Sequence, residues 1–277
     1  VTSLLDPATL IPLVAALAVA GALIGFLAGL FGIGGGAISV PVFYEVFQVL
    51  GHAPEVAMPM AVGTSLAVIV PTSLQSSRGH LRRGTVDMDL LRLWALPVVA
   101  GVAAGAVIAR HASPQVFQLV FAAVAAVNAT KLLAGGSGWR LRDSLPGKTA
   151  LRAYGAGVGL ISALMGIGGG AVSTLILTLH NVPIHRAVST SAGVGVLIAL
   201  PGTLGYMAAG WGRPDLPPDA LGFVSLATFA LTIPTSLLTT RFGVALAHRL
   251  TRRHLETAFG LFLAAVCLRF LWAVLAG

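Results

Sequence analysis

Charge is what this sequence has least of: Asp, Glu, Lys and Arg together make up 9% of 277 residues, and only nine of them are acidic. A water-soluble domain of that length carries about 25% charge, so the main solvent of this chain is lipid. The shortage of acids also limits mechanism. Only Glu45 and Glu256 fall inside apolar segments, whereas Asp6, Glu55, Asp87, Asp89, Asp143, Asp215 and Asp219 belong to loops or segment ends. Cys267 is the one cysteine, which excludes an intrachain disulfide and a Cys-based metal site. Equally absent are an HExxH pair, a Walker loop with Lys after its glycines and a serine elbow. The sequence therefore reads as non-enzymatic, with no metal and no cofactor. The run Gly32–Ile33–Gly34–Gly35–Gly36 superficially matches a nucleotide-binding loop but has no preceding strand and no suitably spaced acid after it.

What the chain does have is apolar length. Hydrophobic residues make up 56% and mean hydropathy is +0.92. A spanning helix needs about 20 apolar residues at about 1.5 Å rise each. Apolar runs, read against Gly, Pro and charge punctuation, give ten segments: 11–31, 37–50, 57–74, 90–109, 116–133, 150–165, 171–180, 187–207, 221–241 and 255–274. The first is too long for a signal-peptide core and has no Lys or Arg ahead of it, so it reads as a retained span. The formal charge of +8 would suit nucleic acid, but the basic residues form short clusters between apolar runs, where they act as topology signals. The expected partner is membrane lipid, and no nucleic acid. Numbering sides alternately puts 14 of the 17 basic residues on one face. The positive-inside rule then predicts a multi-pass protein of a cell inner membrane with both termini on the outer face.

Two segments, 37–50 and 171–180, are short for a core of about 30 Å. Either each crosses with thinning and tilt, or each forms a re-entrant hairpin with the segment before it, which burial permits where neighbours satisfy the backbone.

Leu30–Ser39 (LFGIGGGAIS) returns 134 residues later as Leu164–Ser173 (LMGIGGGAVS), with eight of ten residues identical. Ala57, Gly63 and Pro71 fall in step with Ala187, Gly193 and Pro201 at an offset of 130. The fold class that follows is all-α: a polytopic bundle of about ten segments in two five-segment repeats, 1–134 and 150–277, joined by a cytoplasmic linker at 135–149. Five crossings per repeat invert the second copy, an arrangement associated with alternating access.

Each glycine run joins a long helix to a short one, where unpaired N–H groups and the helix dipole suit an anion. Candidate substrate-binding residues are Gly34, Gly35, Gly36 and Ser39 with Thr64 and Ser65 in the first copy. Those of the second copy are Gly168, Gly169, Gly170 and Ser173 with Thr190 and Ser191. Hydroxyls in apolar helices also bond back to their own helix, so both uses stay open for these serines and threonines. The spaced glycines Gly21, Gly25 and Gly29, and Gly155 and Gly159, read as helix-packing ladders. Gln75 and Asn128 are weaker polar candidates, and Pro71, Pro97, Pro201 and Pro234 mark kinks or breaks. Glu45 and His180 are the proton-coupling candidates; the other histidines, at segment ends, read as surface residues.

With Phe31–Gly36, Met165–Gly170 and a short apolar helix after each, the sequence resembles the TauE/SafE sulfite exporter family over nearly its whole length. That resemblance implies secondary transport of sulfite or a small organosulfonate, exported from the cytoplasm and driven by an ion gradient. Helix N-termini and hydroxyls suit the anionic oxygens of such a substrate. The choice of sulfur comes from the resemblance, not from composition. The alternatives are an anion channel, an uptake permease for another small anion, or a non-transporting scaffold. Monomer and homodimer are both compatible with these residues.

Overall fold

The computed structural model describes residues 7–31, 35–134 and 141–276. All ten apolar segments are helices: α1 (Pro7–Phe31), α2 (Gly36–Val49), α3 (Pro54–Leu81), α4 (Met88–Ala109), α5 (Pro114–Leu133), α6 (Lys148–Met165), α7 (Gly170–Leu179), α8 (Ile184–Ala209), α9 (Leu226–Ala247) and α10 (Arg252–Ala276). Local chemistry sets several starts. Pro54 and Pro114 sit in first turns, where a missing N–H removes no bond. Asp87 and Ser225 cap α4 and α9 by accepting from the N–H groups of Leu90 and Thr228. Among the described residues seven helices are long and apolar enough to cross a membrane: α1, α3, α4, α5, α8, α9 and α10. α2 and α7 have 14 and 10 residues.

Three details differ from the sequence reading. α3 runs on to Leu81 because Ser76, Ser77 and His80 are buried against other helices instead of facing water. The apolar run expected to open α9 at 221 is a two-stranded hairpin, β1 (Ala220–Leu221) and β2 (Val224–Ser225), turning at Gly222 with φ +57. Its apolar residues belong to a plug, since Phe223 and Val224 are buried. Finally, Pro71, Pro97, Pro201 and Pro234 all lie inside continuous helices.

The glycine ladders act as packing surfaces. Added Cβ atoms at Gly21, Gly25 and Gly29 would strike the backbone of α9 at Thr232, Ser236 and Thr240, at 2.4, 1.9 and 2.2 Å. On the other side of the bundle Gly159 meets the Val98 carbonyl of α4 in the same way, at 2.1 Å. Helix neighbours repeat under a five-helix shift. α1 packs on α9 as α6 packs on α4, α2 on α3 as α7 on α8, and α3 on α9 as α8 on α4; α3–α8 and α5–α10 map onto themselves. α3 and α8 thus form the centre, and exposed leucines such as Leu96, Leu200, Leu238 and Leu268 line the perimeter, as a lipid-facing surface requires.

Candidate functional site

Gly35 and Gly169 are the residues before α2 and α7, each with φ near +80 or +70 (82 and 72), a left-handed conformation that glycine adopts without strain. Neither helix start has a side-chain cap. A helix leaves its first N–H groups without intrahelical partners, and here those groups are buried: Gly36, Ala37, Gly170 and Ala171 are all inaccessible. The two motifs also touch, the start of α2 lying against the residue that caps α6. A Cβ on Gly36 would lie 2.3 Å from the Gly166 carbonyl oxygen and 2.6 Å from the Ile167 Cα. Two glycine motifs 134 residues apart therefore share one spot in the centre of the bundle.

Hydroxyls tie this spot together. Ser65 donates to the Gly166 carbonyl at 2.7 Å and lies 2.6 Å from Ser39, so Ser39 is left to donate to Ser65. In the second copy Ser173 reaches the Gly169 carbonyl at 2.6 Å and Ser191 at 2.8 Å, with Thr174 at 2.9 Å from Ser191. Thr64 and Thr190 serve the periphery: they accept from the N–H of Ser225 and of Asp87, the cap residues of α9 and α4. The structure thus groups Gly35, Gly36, Ser39 and Ser65 around the Gly166 carbonyl, and Gly169, Gly170, Ser173 and Ser191 in a second cluster that follows it in the chain. Gly168 is buried beside Gly195, and Gly34 lies outside the described residues, as does the first part of the linker, 135–140.

These pairs correct the register of the repeat. Thr64 and Ser65 correspond to Thr190 and Ser191 at an offset of 126, not the 130 that aligns Ala57, Gly63 and Pro71 with their counterparts. The cause is that α2 is longer than α7 by four residues, one helical turn. The first hairpin reaches one turn further out and returns by one more turn.

Ser162 escaped the sequence reading. It is fully buried, its Oγ has no hydrogen-bond partner among the described residues, and a Cβ on Gly169 would come within 3.3 Å of it. A buried hydroxyl left unpaired costs stability and calls for an explanation. Position 28, its equivalent 134 residues earlier, is Ala28, so the departure from symmetry was the available signal.

Each short helix is anchored at its far end by a cation. Arg269 of α10 pairs with Glu45 of α2, both half-exposed, and Lys131 of α5 donates to Thr178 Oγ1 of α7 at 2.6 Å. His180 is buried, its Nδ1 2.9 Å from the Ile176 carbonyl of its own helix and its ring beside Tyr154. His80, read as a surface residue, is instead buried among α3, α8 and α9.

Two cavities complete the picture. One of about 350 Å³ is lined by Gln75, Arg78, Arg82, Arg83 and Arg241 at the ends of α3 and α9. Its counterpart between α8 and α4, of about 380 Å³, has Pro201, Ala208, Ala209 and Ala103 where the first has Gln75, Arg82, Arg83 and Arg241. The first cavity carries four arginines; the second carries one, Arg110, with His111 beside it.

Comparison with known proteins fits this architecture. The family model described as sulfite exporter TauE/SafE matches residues 17–270. The chain belongs to that family. This TauE/SafE protein is 31% identical over 252 residues to a probable membrane transporter protein of Haemophilus influenzae, covering 90% of this chain and 94% of that one. A probable membrane transporter protein of Methanocaldococcus jannaschii is 25% identical over 241 residues, 87% of this chain and 88% of its own. Similar to it as well is a probable membrane transporter protein of Bacillus subtilis, 25% identical over 213 residues, 70% of this chain and 78% of its own. No solved structure matches the chain. As a TauE/SafE protein it is a multi-pass membrane transporter and not an enzyme.

Proposed function

We propose that this protein is a secondary transporter that exports sulfite or a small organosulfonate across a cell inner membrane by alternating access. In this reading 1–134 and 150–277 are inverted repeats, 135–149 is a cytoplasmic linker, and both termini face outward. The hairpins α1–α2 and α6–α7 enter from opposite sides and meet at Gly36 and Gly166.

One observation carries the reading: two buried, uncapped helix N-termini belong to glycine motifs that touch at Gly36 and Gly166, and beside the second lies a buried hydroxyl, Ser162, without a partner among the described residues. Such a place supplies N–H and O–H donors and positive helix ends without a fixed cation. That suits a monoanion whose charge is spread over several oxygens, as in a sulfonate. The arginine cavity at the α3–α9 end supports loading from the basic side, which is the cytoplasmic side by the charge count.

Purified protein should be stabilised against heating by sulfite or sulfoacetate more than by sulfate or lactate, because a ligand of the native state raises its melting temperature. In proteoliposomes the protein should build a substrate gradient against the electrochemical potential when an ion gradient is imposed. A channel with the same pore lining could only dissipate one. Equal stabilisation by all four anions, or purely dissipative flux, would remove the reading.

A further inference from the structure

His80 lies near the end of α3 with 1% of its surface accessible, in a helix long and apolar enough to cross the membrane. An ionisable side chain in that setting is a functional candidate with an identifiable partner. The partner here is His248, the residue that ends α9: His80 Nδ1 and His248 Nε2 are 2.9 Å apart, with ring centroids 5.0 Å apart. Ser189 of α8 places its Oγ 3.1 Å from the same Nδ1 while donating to the His185 carbonyl and accepting from Thr85. One imidazole thus ties α3, α8 and α9 together. Its other nitrogen, Nε2, is buried with no hydrogen-bond partner among the described residues, and the ring approaches the Gly29 carbonyl of α1.

The internal symmetry shows what is particular about this position. At the offset of 126 found for Thr64 and Ser65, His80 corresponds to Tyr206. Tyr206 is also fully buried and donates to the Ala163 carbonyl at 2.9 Å. Ala163 in turn corresponds to Gly29 at the offset of 134. The central helix meets the glycine-ended helix through an equivalent side chain in each half, Tyr206 donating to a carbonyl there and His80 approaching one. At one end it is a phenol that stays neutral, at the other an imidazole that can take a proton.

We infer that His80 and His248 form a proton-binding site that opens the α3–α9 end of the protein, so that transport is linked to a proton. This deepens the transport reading and rests on it only for the word transport; the opening itself is measured without substrate. His80 is buried and His248 half-buried, and among the described residues no carboxylate faces the pair. Facing it are Arg83 and Thr85 from the α3–α4 connection, His185 and Ser189 from α8 and the Gly29 carbonyl from α1, with Arg82 and Arg241 in the adjoining cavity. The nearby carboxylate, Asp87, is held by Arg186 at 2.8 Å. A proton on this pair is therefore poorly accommodated until water enters. Because the open form binds it better, linkage requires that acid populate the open form.

The test places a single cysteine at Ser77, buried on α3 near the pair, in a Cys267→Ala background, and measures its labelling by a membrane-impermeant thiol reagent in detergent. The rate is normalised to a cysteine at exposed Leu81, which cancels the thiol's own pH dependence. The expected result is a rise of about tenfold in the normalised rate from pH 8 to pH 5.5, for an opening equilibrium shifted by about one proton, and no rise in His80→Gln. His248→Gln, altered at a half-buried helix end, serves as the second variant should His80→Gln fold poorly, and it should also be flat. A flat profile with both histidines present, or an unchanged rise in either variant, overturns the proton site. Loss of sulfonate transport alone would strike only the transport reading.

Discussion

Single side chains at the centre separate binding from stability. Ser162→Ala removes a buried hydroxyl that has no partner, so the protein should be unchanged or more stable by about 1–2 kcal/mol. Binding of a sulfonate, measured by heat stabilisation, should weaken about tenfold if that hydroxyl donates to the anion, about 1.4 kcal/mol. Ser65→Ala acts in the opposite direction. It strands the buried Gly166 carbonyl and should lower stability by about 1–3 kcal/mol in a reversible unfolding assay. His248 provides a pH dependence with a definite sign. Burial first, then the positive charge of Arg83 and the proximity of His185, hold its pKa below the usual histidine value. Between that lowered value and about 6.5, the unfolded chain binds more protons than the folded one, so stability rises with pH. The melting temperature should fall as pH drops below about 6.5, and His248→Gln should flatten the fall.

Elements were legible where lipid imposes its demand and obscure where the protein interior does. Ten helices could be read because a membrane requires long apolar runs. The hairpin at Ala220–Ser225 could not, because burial of Phe223 and Val224 gives it the same apolar signature as a helix start. His80 was misread for a related reason: polar residues at 75–81 look like a loop, yet they face other helices. The central glycines were legible as a pair, while the shift from 130 to 126 was hidden by the unequal lengths of α2 and α7. Ladder glycines and idle glycines should now behave differently. Gly25→Ala would drive a Cβ to 1.9 Å from the Ser236 carbonyl oxygen and force α1 from α9, for about 1–3 kcal/mol of destabilisation. Gly157→Ala meets nothing within 4 Å and should stabilise α6 by about 0.5–1 kcal/mol. Thermal melts of the two variants beside the parent check both signs.

As a whole the molecule combines symmetric helix pairs with selected departures from that symmetry. The repeat sets the frame: equivalent helix pairs, equivalent hydroxyl ties and equivalent cations on the two short helices. The halves differ at Ser162 against Ala28, at His80 against Tyr206, and at the cavity with four arginines against its counterpart with one. All of this depends on the two glycine hairpins entering the membrane from opposite sides to meet at one anion site. The most direct measurement places single cysteines at Ala53, in the turn after α2, and at Arg186, in the first turn of α8 after α7, both exposed. Each is labelled with an impermeant reagent in right-side-out and in inverted vesicles, again in the Cys267→Ala background. The expected result is labelling of Ala53→Cys only from outside and of Arg186→Cys only from inside. Labelling of both from the same side would contradict the inverted arrangement and the shared site with it.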